Sequence, residues 1–522
     1  MRRASSLRSL ALACALVWGC SSGAVAAAQE REASHQERFE APEARLKHTI
    51  ERDSRTIEKN PRNAGALRER GMARMRLGEL PDAIGDLQKA VSLEPKSSLG
   101  YSTLAFALLA AGRSTEALSA IQRSLQLDDT NAAAHAYHAR YLLDNGGNLD
   151  EAIRELQRSL ALNPADLGAR FELFNAFRRK GDPALAAATL RVLEKVLPPE
   201  NPEFLYAQGV LAEDLGNLNL AAEELQRALA GNPAFDAARQ DLALVYIKAE
   251  KWKEAEEILA QLVKRSPDSP QTAYLHALAL QNAHRLDEAE EEVKRALALD
   301  PQSADAHTLE GIILSERRDF AGAITTLLEA VRIAPESYDA QMYLGRAYFA
   351  QGDRERARDA FHAAAELRPE DADARFLYAT ALDNLGDSDG ALANYRALVE
   401  KNPGDARGYV GEGTLLTRLG RLDEAAGSLE RARQIDPQNF EAALSLGKVL
   451  LRQGKWSEAV TILKTATGLL PDNADAHYQL GMALQRSGNE QAAAQEFETV
   501  KTLNKEFRTG AGGMGSPAPQ ER

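Results

Sequence analysis

At 522 residues, with 44% hydrophobic and 27% charged side chains, the chain is too long for one core and too apolar to be disordered, so several domains or a repeat array are expected. Aromatics are only 6%, which favours close-packed helices over β-sandwiches, and a net charge of -13 argues against nucleic acid as a partner. Two cysteines exclude a disulfide scaffold and a four-cysteine zinc module.

In chain order, the first element is an export signal over residues 1–28. Arg2, Arg3 and Arg8 precede the apolar stretch Leu10 to Trp18, which is too short to anchor in a bilayer but suits secretory targeting. Two cleavage readings stand side by side. Val17-Trp18-Gly19-Cys20 is similar to a bacterial lipobox and makes Cys20 a lipidation candidate and a possible membrane anchor, although Trp18 departs from the small residue usual there. Ala26-Ala27-Ala28 offers instead the small-x-small site of soluble cleavage before Gln29. The expected location is outside the cytoplasm: periplasmic or secreted, or held at the outer membrane as a lipoprotein. Residues 29–40 read as a polar tether, and residues 41–63 as an N-terminal helical segment around Pro42–Lys59.

From there the chain repeats. Prolines at 233, 267, 301, 335, 369, 403, 437 and 471 are each 34 residues apart, and the register reaches back to Pro95 and Pro61 with one-residue slips at Pro164 and Pro198. Ahead of each proline slot stands an alanine, from Ala83 through Ala357 to Ala493, which implies a close approach of two helices. A second small column contains Gly71, Gly209, Gly311, Gly345, Gly413, Gly447 and Gly481 among alanines, with Phe174 the exception. Gly78, Gly112, Gly216, Gly352, Gly386, Gly420, Gly454 and Gly488 sit mid-unit, where a helix ends in a left-handed turn. Two residues after the proline slot come helix-capping side chains: Asn63, Ser97, Asn131, Asp166, Ser269, Ser303, Ser337, Asp371, Asp405, Asn439 and Asn473. Each unit is therefore expected to be helix, tight turn, helix, proline-ended turn.

Leu344-Gly345-x-x-Tyr348, Ala357-x-x-x-Phe361 and Ala364…Pro369 resemble the tetratricopeptide repeat signature. The resemblance implies an all-α fold, a right-handed superhelical solenoid of thirteen units: 64–97, 98–131, 132–166, 167–200, 202–235, 236–269, 270–303, 304–337, 338–371, 372–405, 406–439, 440–473 and 474–507. Residues 165–203 break the pattern, with Phe174 in the small column and Pro198-Pro199-Glu200-Asn201-Pro202; a bend between sub-arrays and simple repeat drift both remain open. Residues 508–522 read as a disordered tail.

No catalytic constellation survives inspection. The Gly-Lys pairs at 447–448 and 454–455 lack the rest of a phosphate loop, no HExxH occurs, and the one GxSxG match lies in the leader at Gly19–Gly23. His135 and His138 lie one helical turn apart with no third ligand evident, so no metal, no cofactor and no enzymatic activity are expected. His135, His307 and His477 share one column and read as structural.

What remains is binding. In the tetratricopeptide family the first helix of each unit lines a concave groove, which carries over here to Phe106, Phe171, Asn175, Tyr206, Tyr274, Met342, Arg346, Phe349, Phe376, Arg418, Lys448, Arg452, Tyr478 and Arg486. Aromatic and Arg residues are the types enriched in binding hot spots, and such a groove holds an extended peptide or a short helix. No unit supplies the Lys-then-Asn pair of the chaperone-tail clamp. The expected function is a non-enzymatic scaffold for other proteins. Two alternatives are a lipid-anchored envelope scaffold of a secretion or polysaccharide-export machine, and an accessory subunit of an enzyme such as a glycosyltransferase. Residues 508–522 are too few for a catalytic domain of their own.

Overall fold

The structure, a computed structural model, describes residues 42–509; the export segment, Cys20, both cleavage sites, the tether and the tail beyond residue 509 lie outside the described residues. Among the described residues there are 27 helices and no strand. They divide into two compact units between Pro267 and Asp268, not within 165–203. The first unit holds the single helix Pro42–Lys59 and six helix pairs, from Ala64–Arg76 with Leu80–Leu93 to Asp236–Lys248 with Trp252–Arg265. The second holds seven pairs, from Pro270–Asn282 with Leu286–Leu299 to Ala474–Arg486 with Glu490–Thr509.

Every pair is built by the same local chemistry. All eleven capping side chains named above accept from a backbone amide in the first turn of the helix they precede, as Asn439 does from the Ala442 amide at 2.9 Å and Asp371 from Ala374 at 2.9 Å. Each such cap contributes about 1 kcal/mol. Seven units add a side-chain strap: residue four of the first helix donates back to the carbonyl of the proline slot, as Arg375 does to Pro369 O at 3.0 Å and His477 does to Pro471 O at 2.8 Å. His135 and His477 also place their other ring nitrogen 2.6 Å from Glu155 and Glu496 on the second helix. His138 lies 3.6 Å from the same Glu155, so this histidine pair shares a carboxylate within the helix pair.

Within a pair, the alanine and small-residue columns meet. All thirteen alanines, Ala83 through Ala493, are 0–3% exposed. A Cβ added at Gly71 would stand 2.8 Å from Leu87 Cγ and 3.2 Å from the Ala83 carbonyl, and one at Gly345 would stand 2.6 Å from the Phe361 ring. Ala357→Leu is expected to overpack this contact and cost about 1–3 kcal/mol. Urea denaturation checks it, and unchanged stability would contradict the packing. Where Phe174 occupies the small column it is buried, the second helix Pro183–Leu193 is shortened to 11 residues, and the two helices pack less closely than most pairs do.

The turns inside the pairs reverse through a residue at positive φ. Glycine fills this place in ten units, but Glu250, His284 and Arg318 take it at φ 54, 58 and 64 in three successive ones. A side chain there is strained, whereas glycine adopts the conformation freely but loses more entropy on folding. Arg318→Gly is accordingly expected to stabilise the second unit by about 0.5–1 kcal/mol, read as a higher denaturation midpoint; a lower midpoint would mean the Arg318 side chain makes a compensating contact.

Candidate functional site

In both units the first helices also touch one another from pair to pair, while the second helices have no comparable contact with each other. The first helices therefore converge on the inner, concave side. Polar contacts between successive first helices lock this wall. Arg178 Nη2 donates to Asp214 at 3.1 Å, Tyr206 Oη donates to Asp241 at 2.7 Å, Lys248 pairs with Glu213, Gln281 donates to Glu316 at 2.5 Å, and Arg418 pairs with Asp383.

The groove residues expected from sequence fall into three groups. In the first unit, Phe106 stacks on Tyr137 with centroids 5.1 Å apart and 9° between planes. Together with Ala136, Arg140, Gly168, Ala169 and Glu172 they line a small open cleft. Phe171 and Asn175 are half-buried on the next first helix, and Tyr206 is held by Asp241 and lies 4.9 Å from the Phe235 ring. In the second unit, Phe349 is 43% exposed and Arg346 is exposed over the Tyr343 ring at 5.6 Å. Half-buried Tyr274, Phe376 and Tyr478 back onto neighbouring helices, with Arg407 5.4 Å above the Phe376 ring and Tyr478 6.0 Å from Phe497.

Met342 is a correction. It is only 5% exposed and packs in a core cluster with Leu327, Leu344 and Phe361, so it stabilises the array rather than facing a partner. Of the basic residues, Arg418 and Lys448 are already paired, the latter with Asp475 at 2.7 Å, whereas Arg452 donates to the Thr417 carbonyl at 2.5 Å and Arg486 lies over the Trp456 ring at 6.0 Å.

A family model described as Tetratricopeptide repeat matches residues 36–98, 171–238, 274–338, 344–389, 379–440 and 444–505, and a second of the same description matches 212–280 and 416–469. The chain belongs to the tetratricopeptide repeat family. It is similar to Cellulose synthase operon protein C of Pseudomonas fluorescens (strain SBW25), 25% identical over 178 residues, covering 32% of this chain and 14% of that protein. It is also similar to Cytochrome c-type biogenesis protein CycH of Rhizobium meliloti (strain 1021), 30% identical over 121 residues, covering 23% of this chain and 32% of that protein. The chain thus spans a third or less of the length of these relatives. Among solved structures it is similar to the APC/C hetero-tetramer Cut9–Hcn1, at 14% identity and a TM-score of 0.40, covering 84% of this chain and 94% of that one.

Sequence reasoning missed a set of charged groups on the first helices of the first unit, partly buried at Glu172 and Asp241 and exposed at Asp144. Burial pushes the Glu172 and Asp144 carboxyls above the usual carboxylate range, with Arg140 3.8 Å from Glu172 and 3.6 Å from Asp144 opposing the shift. Burial also raises Asp241 to about 6, against the stabilising hydrogen bond from Tyr206, whose own hydroxyl is pushed well above its ordinary value. Arg140 stands in the same column as Phe106 and was within reach of the sequence. Asp241 lies one residue off the groove column and carried no signal. Among the described residues, no group of three or more His, Cys, Asp and Glu is placed to hold a metal ion, and no helix is long and apolar enough to cross a membrane.

Proposed function

We propose that the chain is a non-enzymatic scaffold that binds segments of other proteins along the inner faces of its helical units. The observation that carries this reading is accessible Phe349 beside Arg346, on a face whose structural columns are buried. A large apolar side chain left in water next to a guanidinium is the composition that dominates interface energetics. A peptide library displayed on phage and selected on the purified chain tests it. Phe349→Ala with Arg346→Ala is expected to weaken the enriched peptides roughly tenfold or more without loss of helical content. Enriched peptides indifferent to these and to every other inner-face substitution would sink the reading.

We propose also that the scaffold works outside the cytoplasm, on the strength of Arg2, Arg3, Arg8 and the apolar stretch to Trp18. Intact mass of the mature protein separates the forms. A mass beginning at Cys20 plus acyl chains identifies a membrane-tethered scaffold, a mass beginning near Gln29 a soluble one, and an unprocessed chain would remove the export reading.

A further inference from the structure

The last turns of three successive first helices, Ala406–Arg418, Phe440–Arg452 and Ala474–Arg486, each end in an exposed arginine. Arg418, Arg452 and Arg486 stand 34 residues apart, one per repeat, on helices that touch in sequence along the inner side. Only Arg418 has a carboxylate partner, Asp383; Arg452 donates to a carbonyl and Arg486 rests against a ring, so the row keeps a net positive charge in a chain of net charge -13. Arginine near a helix C-terminus offsets the negative end of the helix dipole, and Arg452 on Thr417 O does this directly. That role leaves the remaining guanidinium donors of Arg452 and Arg486 facing water.

We propose that this edge of the second unit holds an extended acidic segment of a partner protein, with carboxylates three residues apart meeting Arg418, Arg452 and Arg486 in turn. The spacing follows from two general dimensions. Packed helices lie about 10 Å apart, and an extended chain in the polyproline II conformation rises about 3.1 Å per residue with about three residues per turn, so every third side chain falls on one face and meets the next repeat. Arginine suits the task because its planar fork binds a carboxylate through two parallel hydrogen bonds. Half-buried Tyr478, two turns before Arg486 on the same helix face, supplies an apolar contact for the intervening residues. This inference rests on the scaffold reading and names the chemistry of its partner.

The test is fluorescence anisotropy on the full chain with a labelled twelve-residue peptide carrying glutamate at every third position. Binding is expected to fall roughly tenfold or more in Arg452→Gln/Arg486→Gln, and comparably when glutamine replaces the peptide's glutamates or salt is raised. The peptide substitution needs no altered protein, so it stands even if the double variant is unstable. Equal affinity for the glutamine peptide, or tighter binding of a single-stranded oligonucleotide, overturns the proposal. Binding of neutral peptides elsewhere on the inner face overturns it while leaving the scaffold standing, and failure of every peptide overturns both.

Discussion

Asp86→Ala is expected to destabilise the N-terminal end of the first unit by about 3 kcal/mol, the largest loss of stability expected of any single substitution considered. Asp86 is 7% exposed on Leu80–Leu93 and accepts two hydrogen bonds from Arg70, at 2.8 and 2.6 Å, and a third from Arg74 at 2.8 Å. Arg70 in turn donates to Ser54 at 3.0 Å on Pro42–Lys59, and Arg52 on that helix reaches Glu69 at 2.7 Å. One carboxylate thus ties three helices, and its loss strands the partly buried Arg70 guanidinium and leaves Arg74 only Glu79, 3.8 Å away. Replacing the network with apolar side chains of similar size would cost far less, because the penalty comes from the stranded charges. In a repeat array, stability is local, so the loss should show as faster amide exchange in residues 42–93 before the rest of the chain responds. Exposed Asp82 on the same helix is the control, and its alanine variant should change little. Equal effects for the two would mean the network contributes nothing beyond a surface pair.

Asp241→Asn is expected to act in the opposite direction, stabilising the first unit by up to about 3 kcal/mol at pH 7 and changing little at pH 4. The folded pKa of Asp241, about 6, lies above the 3.8 of an unperturbed aspartate, chiefly because the carboxyl is buried. Between those values the folded chain binds a proton that the unfolded chain has lost. The contribution of this group is therefore fully present below pH 3.8 and is lost as pH rises through about 6. Arg178 and Lys248 lower the value and Glu213 raises it, but burial outweighs them. Asparagine keeps an acceptor for the Tyr206 hydroxyl and has no charge to desolvate. Denaturation at pH 4, 5.5 and 7.5 decides the matter: a difference between wild type and variant that does not grow across this range would show that Asp241 titrates as an ordinary surface carboxylate.

Both effects belong to residues that the repeat period did not single out. Ala357 and Gly345 were legible because one residue per unit recurs where two backbones must approach, and the same constraint acts thirteen times over. The capping residues were legible because Asn439 or Asp371 acts on amides three residues away, a distance that sequence spacing states directly. Even the unit around Phe174 announced itself as a departure, and the shortened helix after it is the local response.

The groove was legible only in outline. Column position placed Phe349 and Arg346 on accessible surface, yet the same rule chose Met342, which neighbouring side chains enclose. It also could not tell paired Arg418 and Lys448 from Arg452 and Arg486. Helix order, the unit length and the family follow from sequence by itself, since they rest on backbone propensities and contacts that repeat every 34 residues. Which charges are buried, which are paired and which remain for a partner was decided by tertiary structure alone. Partners such as Arg70 and Asp86 or Tyr206 and Asp241 lie 16 and 35 residues apart, and the free energy of a charge depends on burial and distance that no single helix determines.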